Sequence, residues 1–291
     1  QDKDSNICKL SLSHGDDLAY QLEKADSAWI MTEPLQNTVA VDSSQVSSLV
    51  TTLIQLQIDD FGAQDVREAD YAKYNLDKNC YVFQITQENG DVTTLRFEDY
   101  DPLVSSYINC LNEETGEIWR FDSSYVTFLQ GKTTTYLLKT VCKVGIDEIS
   151  AMSIQYNGSY NDRTLSIDTT FGVDYENKKY TCNGTDISTY GDAALTAFQD
   201  MFSQVSSLTY TEIQLDSDPP ENGTPSLTIT YTLKDGTTRI VELVKRDDTT
   251  YWARVDGVYT RTVVRQNALS GSGKMLEKYS ELMTVISSSA S

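Results

Sequence analysis

One histidine, His14, is all that the 291 residues contain. Histidine is the side chain that exchanges protons most readily near neutral pH. A Ser-His-Asp or Cys-His triad would have to use His14, which falls in the turn segment His14-Gly15-Asp16 and reads as an exposed turn residue. Zinc sites of the HExxH or multi-histidine kind are excluded by count. The five cysteines (Cys8, Cys80, Cys110, Cys142, Cys182) form no CxxC pair, which removes the support for zinc and thioredoxin-like readings. They read as buried thiols in strands, although Cys80 and Cys110 could face each other across neighbouring strands. Phosphate cradles are missing too, since neither GxxxxGK[ST] nor a strand-linked GxGxxG occurs. The nearest run, Gly271-Ser272-Gly273-Lys274, lacks the upstream glycine and reads as a break within a C-terminal helix. No run is long and apolar enough to span a bilayer. Basic residues are few, 23 against 43 acidic, for a net charge of −20. That balance disfavours nucleic acid and anionic membrane surfaces as partners, because both bind through Lys and Arg.

What is present is an ordinary globular composition, 39% hydrophobic and 23% charged, in a chain long enough for two domains. Neither half needs a metal or a disulfide to stabilise its core. Strand signals dominate. Leu10 and Leu12 alternate with serines, Leu18, Tyr20 and Leu22 follow after the His14 turn, and Trp29 and Met31 extend the meander until Pro34. A helix is expected over residues 42–58, with Asp42 as N-cap and Gln45 as its capping-box partner. Its apolar stripe is Val46, Leu49, Val50, Leu53 and Leu56, which reads as core packing.

The plan recurs. Met152, Ile154 and Tyr156 alternate, Leu165 and Ile167 follow, and a helix is expected over residues 186–208 with the stripe Ile187, Tyr190, Ala194, Phe198, Met201, Phe202 and Val205, weakened at Gly191. Asn89-Gly90 and Asp235-Gly236 each signal a hairpin with a type I′ turn. Beyond those turns Tyr107, Gly116 and Arg120 match Tyr251, Gly257 and Arg261, apart from a longer turn at residues 112–115 in the first half. Short closing helices are expected at residues 123–129 and near residues 266–286. The fold expected is α+β: two similar units, residues 1–140 and 141–291, each a twisted, mainly antiparallel sheet with one long amphipathic helix on a face and a short closing helix.

Acidic clusters invite a calcium test: Asp59-Asp60, Asp99 with Asp101, Asp216 with Asp218 and Glu221, and Asp247-Asp248. None has an EF-hand register, and Pro219-Pro220 spoils the third, so all read as solvated loop acids. The tyrosines and tryptophans alternate with polar residues, which suits core packing better than a sugar platform. No catalytic, cofactor-binding or metal-ligating residue is assigned from the sequence, and no cofactor is expected.

Ser27-Ala28-Trp29-Ile30-Met31-Thr32-Glu33-Pro34 resembles the "dgxWxlxxP" strand of a bacterial family, the helix that follows resembles that family's helix, and Tyr71-Ala72-Lys73-Tyr74-Asn75-Leu76-Asp77 resembles its "Y-G-L-D" signature, with Asn75 where glycine is usual. Asn is the commonest non-glycine residue at positive φ, so the turn can survive the change. The family is domain of unknown function forty-three-forty, found in envelope proteins and lipoproteins. The resemblance covers residues 25–130 well and the second half more weakly, as two tandem copies with the second divergent. It implies an exported protein at the cell surface, lipid-anchored through a segment upstream of Gln1, and it brings no catalytic residues. The function expected is a non-enzymatic binding or assembly module of the bacterial cell envelope with an envelope protein or small ligand as partner. Two alternatives are a small-ligand or glycan receptor with its site between the units, and a hydrolase using paired carboxylates.

Overall fold

A computed structural model describes residues 6–217, 219 and 222–289. The chain divides into two compact units between Leu138 and Lys139. Each is built on one antiparallel sheet with few helices, an α+β arrangement.

In the first unit β1 (Ile7–His14), β2 (Asp17–Ala25) and β3 (Ala28–Glu33) form a meander. Helix α1 (Ser43–Ile54) and β4 (Asp60–Ala63) follow, then β5 (Tyr81–Gln87), β6 (Val92–Phe97), β7 (Tyr107–Asn112) and β8 (Glu117–Asp122). The sheet order is β3-β2-β1-β5-β6-β7-β8-β4. Register carries the apolar alternation across strands: Leu12 lies opposite both Tyr20 and Phe83, and Phe83 opposite Leu95. Side chains on one face of a strand pair meet directly, so this row becomes one buried layer. Asp42 caps α1, accepting from the Ser44 and Gln45 amides at 3.0 and 3.4 Å. The Asp42 N–H donates to the Tyr136 carbonyl at 2.8 Å, where the sequence suggested the Gln45 side chain. The helix ends at Gln55, short of residue 58, so Val46, Leu49 and Val50 are buried while Leu53 and Leu56 are only half-covered. The closing segment, Ser123–Gln130, is 3₁₀ and kinked at Val126, with Phe128 edge-on to Phe83 and Phe97.

The second unit holds β9 (Ile149–Tyr160), β10 (Arg163–Asp174), β11 (Lys179–Cys182), β12 (Thr185–Asp186), α2 (Asp192–Ser206), β13 (Glu212–Ile213), β14 (Pro225–Leu233), β15 (Thr238–Lys245), β16 (Thr250–Val255) and β17 (Val258–Arg265), then α3 (Asn267–Ser270) and α4 (Met275–Ser289). The sheet order is β12-β11-β10-β9-β14-β15-β16-β17-β13. The helix expected over residues 186–208 is two pieces, a 3₁₀ turn at Ile187–Tyr190 and α2, separated at Gly191, whose φ of 89° and ψ of −177° belong to a region open essentially to glycine alone. The stripe packs as its spacing requires. Phe198 is fully buried between the rings of Phe171 and Tyr180, at centroid distances of 5.4 and 4.5 Å. Burying such a ring stabilises by about 1.5–3 kcal/mol. The C-terminal helix is broken at residues 271–274, between α3 and α4, as the Gly-Ser-Gly run suggests.

Both glycine hairpins depart from type I′ in the same way. Only Gly90 and Gly236 take positive φ, at 90° and 87°, and their amides donate to the Gln87 and Leu233 carbonyls at 2.9 and 3.0 Å. A type I turn closed by a left-handed glycine satisfies both, since I′ would require positive φ at Asn89 and Asp235 as well.

Candidate functional site

α1 ends where the chain must travel outward to reach β4 at the sheet edge. The exit segment and the 3₁₀ segment face each other across an open groove of about 690 Å³, lined by Thr52, Ile54, Gln55, Leu56, Gln57, Ser124, Tyr125 and Thr127. A relay of carboxylates joins the two walls. The Asp122 amide donates to the Asp59 carboxylate at 2.6 Å, and Asp122 accepts from the Ser124 amide and hydroxyl at 2.9 and 2.6 Å. The Ser124 hydroxyl and then its amide hold the Asp122 carboxyl below the usual range. Ile54 and Tyr125 stand 37% and 47% exposed at the rim. At the end of the sheet Phe61, 63% exposed on β4, lies opposite Trp119 of β8. Hydroxyls, amides and apolar carbons line this groove, and no carboxylate, imidazole or thiol does. Such a lining can hold a ligand by contact and neutral hydrogen bonds.

Two grooves of the second unit differ. One, of about 440 Å³, is lined by Lys143, Val144, Glu148, Leu233, Lys234, Asp235 and Arg239. Four of its charges are already engaged: Lys234 with Glu176 at 2.9 Å, Arg239 with Asp256 at 2.5 Å, Glu148 accepting from the Gly145 amide at 2.6 Å, and Asp235 accepting from the Thr237 amide at 2.8 Å. The other, about 370 Å³, runs along α2 past Gln199, Phe202, Ser203 and Ser206.

His14 is not an exposed turn residue. It is the last residue of β1, half-buried, stacked on Tyr81 at 4.2 Å and 16°, with Nε2 3.3 Å from Asp99. Pairing of β1 with β5 brings His14 opposite Tyr81, a non-local contact that the turn signal alone does not reveal. Asp99, read with Asp101 as a solvated loop acid, lies beside His14, while Asp101 caps its own loop by accepting from the Leu103 amide at 2.9 Å. Asp59 accepts from the Asp122 amide as described above, and Asp60 accepts from the Phe61 amide at 2.9 Å. Asp247 accepts from Thr249 and Thr250, and Asp248 pairs with Lys245 at 2.9 Å. Asp218 and Glu221 of the Asp216 cluster lie outside the described residues. Among the described residues no group of three or more Asp, Glu, His or Cys side chains is placed to hold a metal ion.

The five cysteines are free thiols. Cys80 and Cys110 do not face each other across neighbouring strands: β6 runs between β5 and β7, and Phe97 takes the place opposite Cys110. Two strand spacings put the thiols about 10 Å apart, too far to bridge. Burial alone pushes the Cys110 thiol well up.

The signature segment has a role that its polar look hides. Glu68–Tyr74 is a 3₁₀ segment ended by Asn75 at φ 57° and ψ 35°, the left-handed turn expected there. The turn drops Leu76 onto the outer face of the sheet, where it is fully buried with Leu111 and Ile118, flanked by Ala63, Val66, Tyr71 and Tyr74. Arg96 closes this second core. Its guanidinium lies 5.3 Å from the Tyr71 ring centroid, 2.7 Å from Glu113 and 3.0 Å from the Cys80 sulfur. No sequence signal marks that cluster, because its members come from four separate stretches.

The first unit is thus a sheet with a core on each face, one of them closed by this signature turn. The chain belongs to the family described as Domain of unknown function (DUF4340), whose model matches residues 29–226. The match starts in β3 and runs past Lys139 into the second unit, to the beginning of β14. No curated protein and no solved structure matches the chain.

Proposed function

We propose that the protein is an exported, non-enzymatic binding or assembly module of the bacterial cell envelope, built as two tandem copies of one sheet-and-helix unit. The single observation that carries the binding role is the first-unit groove: a solvent-open wall of Ile54, Leu56 and Tyr125 with hydroxyls and amides. Support for the tandem copies comes from strand order. Reading β9, β10, β11, β13 and β14–β17 for β1, β2, β3, β4 and β5–β8 turns one sheet into the other, with β12 the one addition. The two glycine turns, with their matching bonds, point the same way. The envelope location and lipid anchor rest on the resemblance to envelope lipoproteins, and the acidic surface suits an extracellular solvent-facing role.

The experiment is site-specific photo-crosslinking from position 125 in cells of the source organism, with a probe at exposed Asn89 as control. A defined envelope product at 125, lost with Ile54→Asp and absent at 89, is the expected result. Recovery of the protein in the cytosolic fraction, equal capture at both positions, or turnover of envelope glycans or peptides by the purified chain would overturn the proposal.

A further inference from the structure

The longest strands of the chain are β9 and β10, twelve residues each. They meet at Asn161-Asp162, whose φ values of 51° and 58° make a true type I′ turn. Their neighbours are shorter. β14 accompanies β9 only as far as Tyr156, and β11 accompanies β10 only from Phe171 to Asp174. Thr170 marks where cover ends: its amide donates to the Asn183 side chain at 2.9 Å, and its carbonyl accepts from the Asn183 amide at 2.8 Å. Because outward-facing backbone groups alternate along an antiparallel strand, the residues equivalent to Thr170 are Asp168, Ser166 and Thr164. The strand is thus an open edge over residues 163–168.

Natural edges are usually blunted by a bulge, a proline, a lysine or an inward charge. The open stretch has no bulge, proline or lysine, and its charges are Arg163, on the face of Leu165 and Ile167 at the hairpin end, and Asp168 on the other face. The β9–β10 register runs unbroken from Arg163 to Gly172, Leu165 and Ile167 face the helix side, and Thr164, Ser166 and Asp168 are exposed on the other.

We propose that this edge joins a second copy of the chain, β10 against β10 of the partner, antiparallel about a two-fold axis at Ser166. Centred there, Ser166 meets Ser166, Leu165 meets Ile167 and Thr164 meets Asp168. Apolar lies opposite apolar, small opposite small, and no acid opposite an acid. That last feature matters most, since self-repulsion is the main obstacle to pairing two chains of net charge −20. The two sheets become one continuous sheet, and the same patch serves both copies, as a two-fold interface requires.

Sedimentation velocity over a micromolar concentration series tests the pairing. The native chain is expected to show a concentration-dependent dimer. Ser166→Pro removes an outward N–H that β9 does not use, so it is expected to give monomer with an unchanged circular dichroism spectrum. Thr164→Asp sets a carboxylate against Asp168 of the other copy twice, and is expected to weaken the dimer roughly fivefold, whereas Thr164→Lys is expected to strengthen it by a similar factor. Ser166→Cys is expected to cross-link two copies on mild oxidation where the native thiols do not. A native chain that stays monomeric throughout, a Ser166→Pro dimer as tight as native, or Thr164→Asp and Thr164→Lys moving the constant in the same direction would overturn the proposal.

Discussion

Leu76→Ala is the sharpest perturbation this fold offers, because it separates a core residue from the polar signature around it. The Leu76 side chain has no exposed surface and meets Leu111 and Ile118. Truncation removes three carbon groups, worth about 2.4 kcal/mol at 0.8 each. The second core is small and is held on one side by sheet backbone, so it collapses little and a cavity penalty adds to the transfer loss. Together these give about 3 kcal/mol, within the range of 2–5 found for buried leucines. At a urea slope of about 2 kcal/mol per molar, the unfolding midpoint falls by about 1.5 M. Tryptophan fluorescence is a suitable probe, since Trp119 adjoins Ile118 on β8. Leu103→Ala is the control: Leu103 is 93% exposed, and its loss should cost less than about 0.5 kcal/mol. A Leu76→Ala penalty below about 1 kcal/mol, or one equal to that of Leu103→Ala, would refute the claim that the signature segment seals a second core.

Gly191→Ala should destabilise by about 1–3 kcal/mol through backbone strain alone, because open space surrounds the position and nothing else resists the new methyl; a melt unchanged from native would count against the break between the 3₁₀ turn and α2. In native protein, half-buried Cys8 and Cys142 should react first with a thiol reagent, while buried Cys80, Cys110 and Cys182 should react only on unfolding; mass mapping of the labelled peptides checks the order. The Asp247 carboxyl is held down to about 2, first by the Thr250 hydroxyl and then by the Thr249 amide. A depressed acid contributes its stabilisation above the ordinary carboxyl range near 3.8 and loses it as pH falls through 2. Carboxyl NMR titration should therefore show Asp247 still ionised at pH 3, and a midpoint near 4 would contradict the Thr hydrogen bonds.

Short-range features were legible because their causes are local. The Asp42 cap, the apolar stripe of α2, the alternation of Met152, Ile154 and Tyr156, and the left-handed Asn75 each follow from side-chain spacing or backbone preference within a few residues. The antiparallel α+β class and the family membership were readable for the same reason. The errors share a cause of the opposite kind. α1 stops early because the route to β4 and the Asp59–Asp122 bond claim the residues after Gln55. Turn chemistry alone exposes His14, whereas pairing of β5 with β1 sets it against Tyr81; sequence alone leaves Cys80 free to face Cys110, whereas β6 lies between their strands.

What the residues alone determined, then, is which histidine, CxxC and phosphate-loop motifs are missing, the periodicities of the strands and helices, and the capping and turn positions, all read from near neighbours in the chain. Only the tertiary structure decided that Leu76 is core, that Arg96 closes that core against Tyr71 and Glu113, that a groove opens beside Tyr125, and that β10 outruns its neighbour to leave an edge. Each of these depends on which distant strands become adjacent, and adjacency is chosen by the packing of the whole sheet rather than by any one stretch of chain.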